Sequence, residues 1–411
     1  MREGILSSIK KVGIVGAGKS GVSLAKLALS LGKSVKLSEI NKDISFKTLK
    51  SLKQLGAEME LGRHTQDFFK DVDLVVLSPG VNSNDFYKNI LAGLNIPWVG
   101  EIEFSFWCCK SKNIIAITGT NGKTTTTFII GQVLKKSLNK RVYVLGNIGN
   151  PFSSEVLDIG EEDVVVLEVS SFQLETIKYF KPYIACLLNF SPDHLDRYSD
   201  LESYFLAKKR IFLNQDFSCY ALFPKELEEK LRDISAQKIC LDKGENLSFI
   251  EKILEILGVE SSNLYNYLRD FKGLAHRLEF VAEKRGVKFI NDSKATNILA
   301  TIFALKTLKG KIILLAGGKD KNLDYSLIKP YLDKVKSVFL FGEAKDKIKK
   351  VLEGAVPLRV VKDLREAVLL AYQEAQSSDI ILLSPMCSSF DMFKNYQERG
   401  EFFKSLVYEL K

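Results

Sequence analysis

Short apolar runs alternate with helix-like segments along the whole chain, and this alternation constrains the fold more than any other feature of the sequence. The runs carry apolar side chains at consecutive positions, which is typical of strands buried on both faces of a parallel sheet. The clearest runs are KVGIVG (11–16), SVKLSE (34–39), DLVVLSPG (73–80), NIIAITG (113–119), DVVVLEV (163–169), YIACLLNF (183–190), KIILLAGG (311–318), SVFLFG (337–342) and DIILLSP (379–385). The sequence therefore predicts an α/β protein built on parallel sheets that helices cover.

The strand-like runs fall into three groups, which predicts three domains. A chain of 411 residues is long for a single hydrophobic core. We expect the domains to span residues 1–100, 101–275 and 276–411: the first ends near residues 97–100, the second begins with the strand that leads to the glycine-rich loop and ends near Ala275, and the third opens at His276. Residues 225–270 have a helical, charged pattern, and no internal repeat or long linker is evident.

Composition and charge exclude several classes of protein. With 46% hydrophobic and 27% charged residues, the chain has the composition of a globular protein and not of a disordered segment or a fibre. The net charge of +9 comes from dispersed lysines, which is typical of a solvated, lysine-rich surface. A mild bias toward anionic substrates such as nucleotides fits the same charge, and no nucleic-acid partner is expected. The six cysteines lack metal-site spacing and are expected to be free thiols. Neither a signal peptide nor a membrane span is evident, so a cytoplasmic location is expected.

A glycine-rich loop, GTNGKTT over residues 119–125, lies between the strand NIIAITG and an apolar helical segment. Backbone N–H groups of such a loop, with the N-terminus of the following helix, form a site for phosphate oxygens. Lys123 is placed to reach the β- and γ-phosphates of a nucleotide, and the Thr124 hydroxyl to bind Mg²⁺. Thr118 stands where a Walker A loop has its first glycine. The simpler alternative is a lysine-bearing turn without a ligand.

A second glycine loop, GAGKSG over residues 16–21, follows the first strand. It matches the dinucleotide fingerprint, and Glu39 closes the next strand near the spacing of a ribose-binding acid. Three interpretations remain open: a nicotinamide cofactor in an oxidoreductase, the diphosphate of a UDP-type ligand, and a purely structural turn. The separate phosphate loop at 119–125 argues against a simple dehydrogenase.

Three polar residues in the middle of the chain are candidates for metal and phosphate chemistry. Glu168 ends the strand DVVVLEV, where a carboxylate facing the phosphate loop would bind Mg²⁺. His194 lies between Asp193 and Asp196 after another apolar strand, as a metal ligand or phosphate contact. Lys208 follows in a helical segment. The alternatives are a helix-capping Glu168, a structural His194 and a surface Lys208.

The last third of the chain carries three polar segments, each of which follows a strand. They are NDSKATN (291–297), GGKDKNLDYS (317–326) and SPMCSSFDMFKNYQERG (384–400). Ser, Asp, Lys and Asn side chains at the carboxyl ends of parallel strands are suited to bind a small zwitterion. Any one segment is compatible with an ordinary loop, but three of them predict a substrate site.

With these residues in place, the chain resembles the Mur ligase family of bacterial peptidoglycan synthesis. The resemblance covers nearly the whole chain and rests on these motifs, in order: SPG (78–80), GTNGKTT, GNIG (146–149), SSFQLE (170–175), DHLDRY (193–198), AKKR (207–210), GLAHRLE (273–279), NDSKATN and SPMCSSFDMFKNYQERG. SSFQLE and the last motif are specific to the members that add D-glutamate. Folylpolyglutamate synthetases share the phosphate loop but not the N-terminal UDP-binding domain.

The resemblance implies a Rossmann-like N-terminal domain for UDP, a central P-loop ATPase domain, and a Rossmann-like C-terminal domain for the incoming amino acid. It implies an ATP-dependent ligase that adds D-glutamate to UDP-N-acetylmuramoyl-L-alanine through an acyl-phosphate. Those three small molecules would be its partners, with two Mg²⁺ ions and a carbamylated lysine at Lys208 as cofactors. A monomer is expected.

Carried over position by position, the family's site residues fall on this sequence in four groups. The UDP-sugar group is Lys19, Ser20, Glu39, Asn41, Ser78, Gly80, Asn147, Gln173 and His194. The ATP group is Gly119, Thr120, Asn121, Gly122, Lys123, Thr124, Thr125, Arg277 and Asp292. The metal group is Thr124, Glu168, His194 and the carbamate of Lys208, and the catalytic set is Lys123, Glu168, His194 and Lys208. The D-glutamate group is Lys294, Thr296, Lys321, Ser389, Phe390 and Tyr396.

Two departures from the family pattern affect these expectations. The adenine-contacting segment H-N-x-x-N corresponds to residues 242–246, DKGEN, in which only Asn246 matches. The usual aspartate after the second strand is Glu39. Phosphate binding is therefore predicted, whereas recognition of the base is not. A non-catalytic nucleotide-binding or scaffold protein is a further alternative, which the intact catalytic set argues against.

Overall fold

The computed structural model of the protein describes residues 2–42, 44, 46–195, 197–242, 246–271 and 273–410. Its strands form three sheets, which matches the three predicted groups of strands. The chain packs as two compact units. One comprises Met1–Ser191 with Glu202–Arg269 and contains two sheets, and the other comprises Pro192–Leu201 with Asp270–Lys411 and contains the third.

The first sheet is parallel and five-stranded. Its strands are β1 (Lys11–Val15), β2 (Ser34–Glu39), β3 (Glu58–Leu61), β4 (Leu74–Leu77) and β5 (Trp98–Gly100). The helices of this segment are α1 (Arg2–Ser8), α2 (Lys19–Ser30), α3 (Phe46–Gln54), α4 (Gln66–Phe69) and α5 (Ser83–Phe86), followed by a π-helix (Tyr87–Leu91). The strand order is β3-β2-β1-β4-β5, so the direction of winding reverses between β1 and β4. Open α/β sheets bind ligands at such a crevice.

The second sheet is also parallel and has six strands. They are β6 (Asn113–Thr118), β7 (Val142–Gly146), β8 (Val164–Glu168), β9 (Ile184–Leu187), β10 (Tyr220–Pro224) and β11 (Gln237–Leu241), in the order β11-β10-β9-β6-β8-β7. The helices of this stretch are α6 (Glu101–Cys108), α7 (Lys123–Ser137), α8 (Ser171–Leu174), α9 (Leu201–Lys209), α10 (Asn246–Ile256) and α11 (Ser261–Asp270). Short 3-10 turns cover Phe152–Ser154, Val156–Asp158, Arg210–Phe212, Lys225–Leu227 and Glu229–Leu231.

The helical pattern predicted for residues 225–270 is only partly right. α10 and α11 confirm its second half, but β11 at Gln237–Leu241 is a strand that pairs in parallel with β10. The segment is short and its first residues are charged or polar, so its own pattern gave no strand signal. Pairing with β10 at the sheet edge overrides the local preference.

The third sheet has six strands. They are β12 (Glu279–Lys284), β13 (Val287–Asn291), β14 (Ile312–Gly317), β15 (Val335–Phe341), β16 (Leu358–Val360) and β17 (Ile380–Met386), in the order β12-β13-β17-β14-β15-β16. Only β12 runs antiparallel, to β13. The helices are α12 (Ile298–Thr307), α13 (Lys345–Leu352), α14 (Leu364–Glu374) and α15 (Tyr396–Glu409), with a 3-10 helix over Tyr325–Tyr331.

The predicted burial of strands on both faces is seen most clearly in β14. Residues 312–316 are all 0% exposed. Ile312, Leu314 and Ala316 pack into one hydrophobic cluster, whereas Ile313 and Leu315 pack into another on the opposite face. Truncating such a side chain to alanine typically costs about 2–5 kcal/mol. Central strands of this kind give the loops at their carboxyl ends a rigid support.

Candidate active site

The phosphate loop, residues 119–125, joins the carboxyl end of β6 to α7. It requires glycine at two positions, because Gly119 has φ 151° and Gly122 has φ 82°. α7 begins at Lys123, so residues 124–125 lie in its first turn. N–H groups of a first helical turn lack partners within the helix and are available to phosphate oxygens.

Asn189, two residues beyond β9, fixes the start of the phosphate loop. Its Oδ1 accepts hydrogen bonds from the N–H groups of Thr120 (3.1 Å) and Asn121 (2.9 Å), and its Nδ2 donates to the Asn121 carbonyl (3.0 Å). The Ser191 N–H adds a bond to Thr120 Oγ1 at 3.1 Å. Asn189 was not predicted as a site residue. The available signal was its position directly after an apolar strand.

Two lysine side chains converge on one carbonyl of the phosphate loop. Lys123 Nζ donates to Gly119 O (2.8 Å) and Thr120 O (2.9 Å), and Lys208 Nζ, from α9, donates to the same Gly119 O (2.8 Å). Lys208 is only 1% exposed, so the alternative of a surface lysine is wrong. Two ammonium groups beside one oxygen repel each other, and an anion between them relieves this repulsion. The loop is therefore electrostatically suited to phosphate.

Glu168, at the end of β8, is fully buried. Its Oε1 accepts a hydrogen bond from Asn147 Nδ2 at 2.7 Å, but its Oε2 has no partner among the described residues. A buried carboxylate oxygen without a partner is costly, and a cation would satisfy it. Carboxylate and hydroxyl oxygens are donors that Mg²⁺ prefers, so Glu168 and Thr124 fit a magnesium ion. No three His, Cys, Asp or Glu side chains cluster as a ready-made metal site in the described part of the chain.

Asn246, the residue that survives from the adenine-contacting pattern, lies at the phosphate loop. It is the first residue of α10, and a Cβ atom built on Gly122 would come within 2.2 Å of its Nδ2. The close approach of Asn246 therefore requires glycine at position 122, as the positive φ angle of Gly122 already does. Residues 243–245 of the same pattern lie outside the described residues.

Glu39 fixes the glycine loop of the first sheet. Its Oε2 accepts a hydrogen bond from the Ala17 N–H at 2.6 Å, and its Oε1 accepts one from the Asn41 N–H at 2.8 Å. Both carboxylate oxygens thus already bind backbone N–H groups, one in the loop after β1 and one in the loop after β2. This geometry gives Glu39 a role in shaping the loop that does not depend on a ribose.

The crevice between β1 and β4 is closely packed. Ser78 Oγ donates to Gly16 O at 3.3 Å, and a Cβ atom on Gly21 would lie 1.8 Å from that same oxygen. Only glycine therefore allows α2 to start so near the turn. Gly80, by contrast, has open space where a side chain would stand.

Predicted UDP-sugar residues from the first and second sheets meet within the first unit. Lys19 and Ser20 form the first turn of α2, and Lys19 Nζ donates to the carbonyl of Gly149 in GNIG. A small cavity is lined by Ser78 from the loop after β4 and by Gln173 from α8. The Gln173 Oε1 accepts hydrogen bonds from the N–H and Oγ of its helix cap, at 3.0 Å each, which fixes the amide orientation.

Glu101 lines the same cavity and was not predicted. It is 1% exposed, its Oε1 accepts a hydrogen bond from the Ser153 N–H at 2.8 Å, and its Oε2 has no partner among the described residues. Burial raises the pKa of this carboxyl, against hydrogen bonds that lower it. An acid in the first turn of a helix is common, so the sequence alone did not single out Glu101.

His194 belongs to the second unit and has a strained backbone. Its φ of 56° is left-handed, which is uncommon for a residue other than glycine and is often found at functional sites. The ring Nε2 lies 3.8 Å from Asp193 Oδ2, and the side chain is 30% exposed. Asp196, the other neighbouring acid of the sequence pattern, lies outside the described residues.

A buried ion pair joins Asp193 to Lys321. The Lys321 ammonium donates to Asp193 Oδ1 at 2.9 Å, and Asn297 Nδ2 donates to Oδ2 at 3.0 Å. Burial alone would raise the pKa of Asp193, but the charges of Lys321 and His194 outweigh it and hold that pKa below its usual range. Lys321 was predicted as a site residue. Its partner Asp193 was noted only as a neighbour of His194.

Three polar loops lie side by side at one edge of the third sheet. We call them the β13 loop (292–297), the β14 loop (318–324) and the β17 loop (387–395). β17 pairs in parallel with both β13 and β14, so the carboxyl ends of all three strands are adjacent, as predicted. The Lys319 N–H donates to Ser388 O at 2.9 Å and joins two of the loops directly.

The predicted residues of these loops differ in exposure. Lys294 Nζ lies 3.9 Å from the centre of the Tyr396 ring, and Ser389 is buried at 2% exposure. Thr296 lies two residues before α12. Phe390 does not join the buried group, because it is 72% exposed.

Arg277 and Asp292 are the predicted ATP contacts of the second unit. Arg277 is partly buried in a strained turn, and Asp292 is buried. Arg277 stands between two residues in the left-handed region, His276 (φ 63°) and Leu278 (φ 44°). Asp292 accepts hydrogen bonds from Ser384 Oγ (2.9 Å) and the Leu278 N–H (3.3 Å). Burial nevertheless raises the pKa of Asp292 to about 7.

Two general features of the sequence can be compared with the structure. All six cysteines are free. No described helix is both long and apolar enough to span a bilayer.

Known protein families match this chain along most of its length. The Mur ligase MurD-like N-terminal domain matches residues 10–98, the Mur ligase middle domain matches 117–305, and the Mur ligase glutamate ligase domain matches 276–387. A relative from Caldanaerobacter subterraneus subsp. tengcongensis, named UDP-N-acetylmuramoylalanine--D-glutamate ligase, is 38% identical over 98% of this chain and 99% of its own. A relative of the same name from Caldicellulosiruptor bescii is 39% identical over 98% of each chain.

Solved structures with low sequence identity share the fold. UDP-N-acetylmuramate-alanine ligase MurC from Thermotoga maritima aligns with a TM-score of 0.62 and 19% identity over 98% of this chain and 100% of that one. A bifunctional folylpolyglutamate synthase/dihydrofolate synthase from Yersinia pestis, solved with AMPPNP and Mn, aligns with a TM-score of 0.55 and 17% identity over 75% of this chain and 92% of that one. Fold, domain matches and full-length relatives agree, and the chain is a member of the Mur ligase family.

Proposed function

We propose that the protein is an ATP-dependent ligase that joins D-glutamate to UDP-N-acetylmuramoyl-L-alanine in peptidoglycan precursor synthesis. The observation that carries this function is the full-length similarity to a relative named for that activity, at 38% identity over 98% of the chain. The enzyme would act in the cytoplasm as a monomer. Its substrates would all be small molecules. It would serve cell-wall growth, cell shape and division.

The reaction needs ATP because a carboxylate has no good leaving group. A carboxylate oxygen of the UDP-sugar attacks the γ-phosphorus, the bond to ADP breaks, and an acyl-phosphate forms. The neutral amine of D-glutamate then attacks the acyl carbon. The resulting tetrahedral intermediate expels phosphate and loses a proton, which leaves the amide. Excluding water during these steps protects the acyl-phosphate from hydrolysis.

The phosphate loop is the proposed ATP site, with Arg277 and Asp292 as further contacts. Lys123 would leave the loop carbonyls it now binds and neutralise charge on the transferring phosphoryl group. Glu168 and Thr124 would hold Mg²⁺, together with His194 and Lys208, in two sites. When bound, Mg²⁺ supplies charge neutralisation to the phosphate oxygens. The related fold solved with AMPPNP and Mn supports a nucleotide and a divalent ion for this architecture.

Lys208 is the proposed carbamylated lysine. As an ammonium it lies buried on the same carbonyl as Lys123, which places two positive charges together. Carbamylation requires the ammonium to lose one proton to become an amine; the lysine nitrogen then bonds to CO₂ and loses a second proton, which replaces one of these cations with an anionic oxygen donor. That change would remove the repulsion and provide a ligand for a cation.

The UDP-sugar is proposed to bind across the first two sheets. The diphosphate would approach the glycine loop and α2, where Lys19 and Ser20 lie. The muramoyl-alanine end would reach Asn147, Gln173 and His194. The hydrogen bond from Asn147 to Glu168 links this end of the substrate to the phosphate loop region.

D-glutamate is proposed to bind at the three polar loops of the second unit. Its two carboxylates require cations and hydrogen-bond donors when they leave water. Lys294 and Lys321 supply the cations, and the hydroxyls of Thr296, Ser389 and Tyr396 supply donors. The exposed Phe390 would cover the ligand.

The test of this function is ADP release by the purified protein with UDP-N-acetylmuramoyl-L-alanine and a panel of D- and L-amino acids. We expect release that depends on both the UDP-sugar and D-glutamate. Release that is equal for every amino acid, or NAD(H) binding in place of UDP-sugar binding, would contradict the proposal. The second outcome would return the glycine loop to the oxidoreductase interpretation.

A further inference from the structure

Arg399 is a fully buried arginine that none of the predicted groups includes. It lies one turn into α15 and is 0% exposed. Its Nε donates to Ser293 Oγ (3.0 Å) and its Nη2 to Ser293 O (2.8 Å). Nη1 and Nη2 both donate to Cys387 O (3.2 Å each), and Nη1 also donates to Ser388 O (3.2 Å).

These hydrogen bonds connect two of the three polar loops to one side chain, and the third loop lies close to it. Ser293 belongs to the β13 loop, whereas Cys387 and Ser388 begin the β17 loop. The β14 loop packs against the same group, because a Cβ atom on Gly318 would lie 3.1 Å from Arg399 Nη1 and 2.3 Å from Ser388 O. Arg399 thus contacts every loop that carries a proposed D-glutamate residue.

The partners of Arg399 are neutral. All its hydrogen bonds go to carbonyl or hydroxyl oxygens, and it forms no ion pair with any described residue. The carboxylate of Asp391 raises the pKa of Arg399, but by less than burial lowers it. The Oδ2 of Asp391 accepts a hydrogen bond from the Glu343 N–H. Burial lowers the pKa of Arg399 to about 10, so the guanidinium stays charged near neutral pH. Buried charges are normally paired, so a buried guanidinium whose hydrogen-bond partners are all neutral attracts a nearby anion.

We propose that Arg399 is a positioning residue for the incoming amino acid: it holds the β13, β14 and β17 loops in the arrangement that binds D-glutamate and adds a fixed positive charge to them. Its planar fork of five donors suits several carbonyls at once, which a lysine ammonium cannot match. The proposal rests on the proposed function, in which D-glutamate is the anion that binds at these loops.

The test compares Arg399→Lys, Arg399→Met and the control Arg365→Lys. Arg365 is a half-exposed arginine of the same unit that pairs with Glu409. We measure KM for D-glutamate, ATP and the UDP-sugar together with Tm. Both Arg399 variants should raise the D-glutamate KM at least tenfold, with the other two KM values within about twofold of wild type. The control should leave all three KM values unchanged.

A milder variant, Ser293→Ala, keeps the experiment decisive if the Arg399 variants do not fold. It removes the bond to Nε, and one such hydrogen bond corresponds to about a two- to tenfold change in an equilibrium constant. The D-glutamate KM should rise within that range. A D-glutamate KM unchanged in the folded variants, or an equal rise in all three KM values, would overturn the role of Arg399. Wild-type protein without D-glutamate-dependent ADP release would instead refute the proposed function.

Discussion

The phosphate loop of the first unit and the three polar loops of the second unit are built in opposite ways. The phosphate loop is one contiguous segment of seven residues, and its two positive φ angles are met by the two glycines of its own motif. The polar loops come from three separate parts of the chain and are joined by Arg399 and by Lys319. A site made of one segment is visible in a sequence, whereas a site made of several depends on strand order and on buried connectors.

This contrast implies different responses to mutation. Substitutions in the phosphate loop should slow the reaction with every amino-acid substrate, since the loop is the proposed ATP site. Changes of the proposed D-glutamate residues in the polar loops should weaken the binding of D-glutamate and leave the binding of the other substrates nearly unaltered. The predictions below run from the largest expected effect to the smallest.

Lys123→Ala should abolish product formation, with kcat reduced at least a thousandfold. The phosphoryl transition state would lose a cation, a loss that typically costs on the order of several kcal/mol. UDP-sugar binding, measured by calorimetry, should survive because the crevice between β1 and β4 is separate. Near-normal turnover in a folded variant would refute the assignment of the phosphate loop.

Lys208→Ala should reduce kcat at least a hundredfold, and acetate or formate should restore part of the activity. A short carboxylate can replace the anionic oxygen that the proposed carbamate provides. The matched control is Lys209→Ala, the neighbouring lysine that pairs with Asp233 near the surface. Full activity of Lys208→Ala without added carboxylate would contradict the proposed carbamylation of Lys208.

Lys321→Ala should raise the D-glutamate KM tens of fold, with the ATP and UDP-sugar KM values nearly unchanged, as expected for lost substrate binding. It should also lower Tm, because Asp193 would remain as a buried carboxylate without its cation, a change that typically costs about 3–5 kcal/mol. Adding Asp193→Asn should restore Tm but not the D-glutamate KM. A double variant that recovers both would show that Lys321 is purely structural.

Asp292→Asn should have the smallest effect, a pH-dependent gain in stability. The raised pKa means that the native state keeps a proton between about pH 4 and 7 which the unfolded chain has lost. The free energy of unfolding therefore falls as pH rises through that window, by on the order of a few kcal/mol. We expect Tm of the variant to exceed that of wild type at pH 8 and to equal it at pH 5. Equal Tm values at pH 8 would contradict a raised pKa for the buried carboxyl of Asp292.

The sequence predicted the sheets well because their strands are continuous apolar runs. It did not reveal β11, whose charged start hides a strand that forms by pairing with β10. Within the candidate site, residues inside glycine motifs were singled out by the sequence. Asn189, Glu101 and Arg399 were not, because an asparagine after a strand or an acid or arginine in a helix looks ordinary until its buried partners are seen.

The central claim, that ATP activates the UDP-sugar carboxylate as an acyl-phosphate before D-glutamate attacks, is tested most directly by an isotope. UDP-N-acetylmuramoyl-L-alanine labelled with ¹⁸O in both carboxylate oxygens is incubated with ATP, D-glutamate and the protein, and the released phosphate is analysed by mass spectrometry. One carboxylate oxygen should leave with the phosphate, so each phosphate should carry one ¹⁸O atom and each amide product should retain the other. Unlabelled phosphate alongside amide formation would contradict the acyl-phosphate.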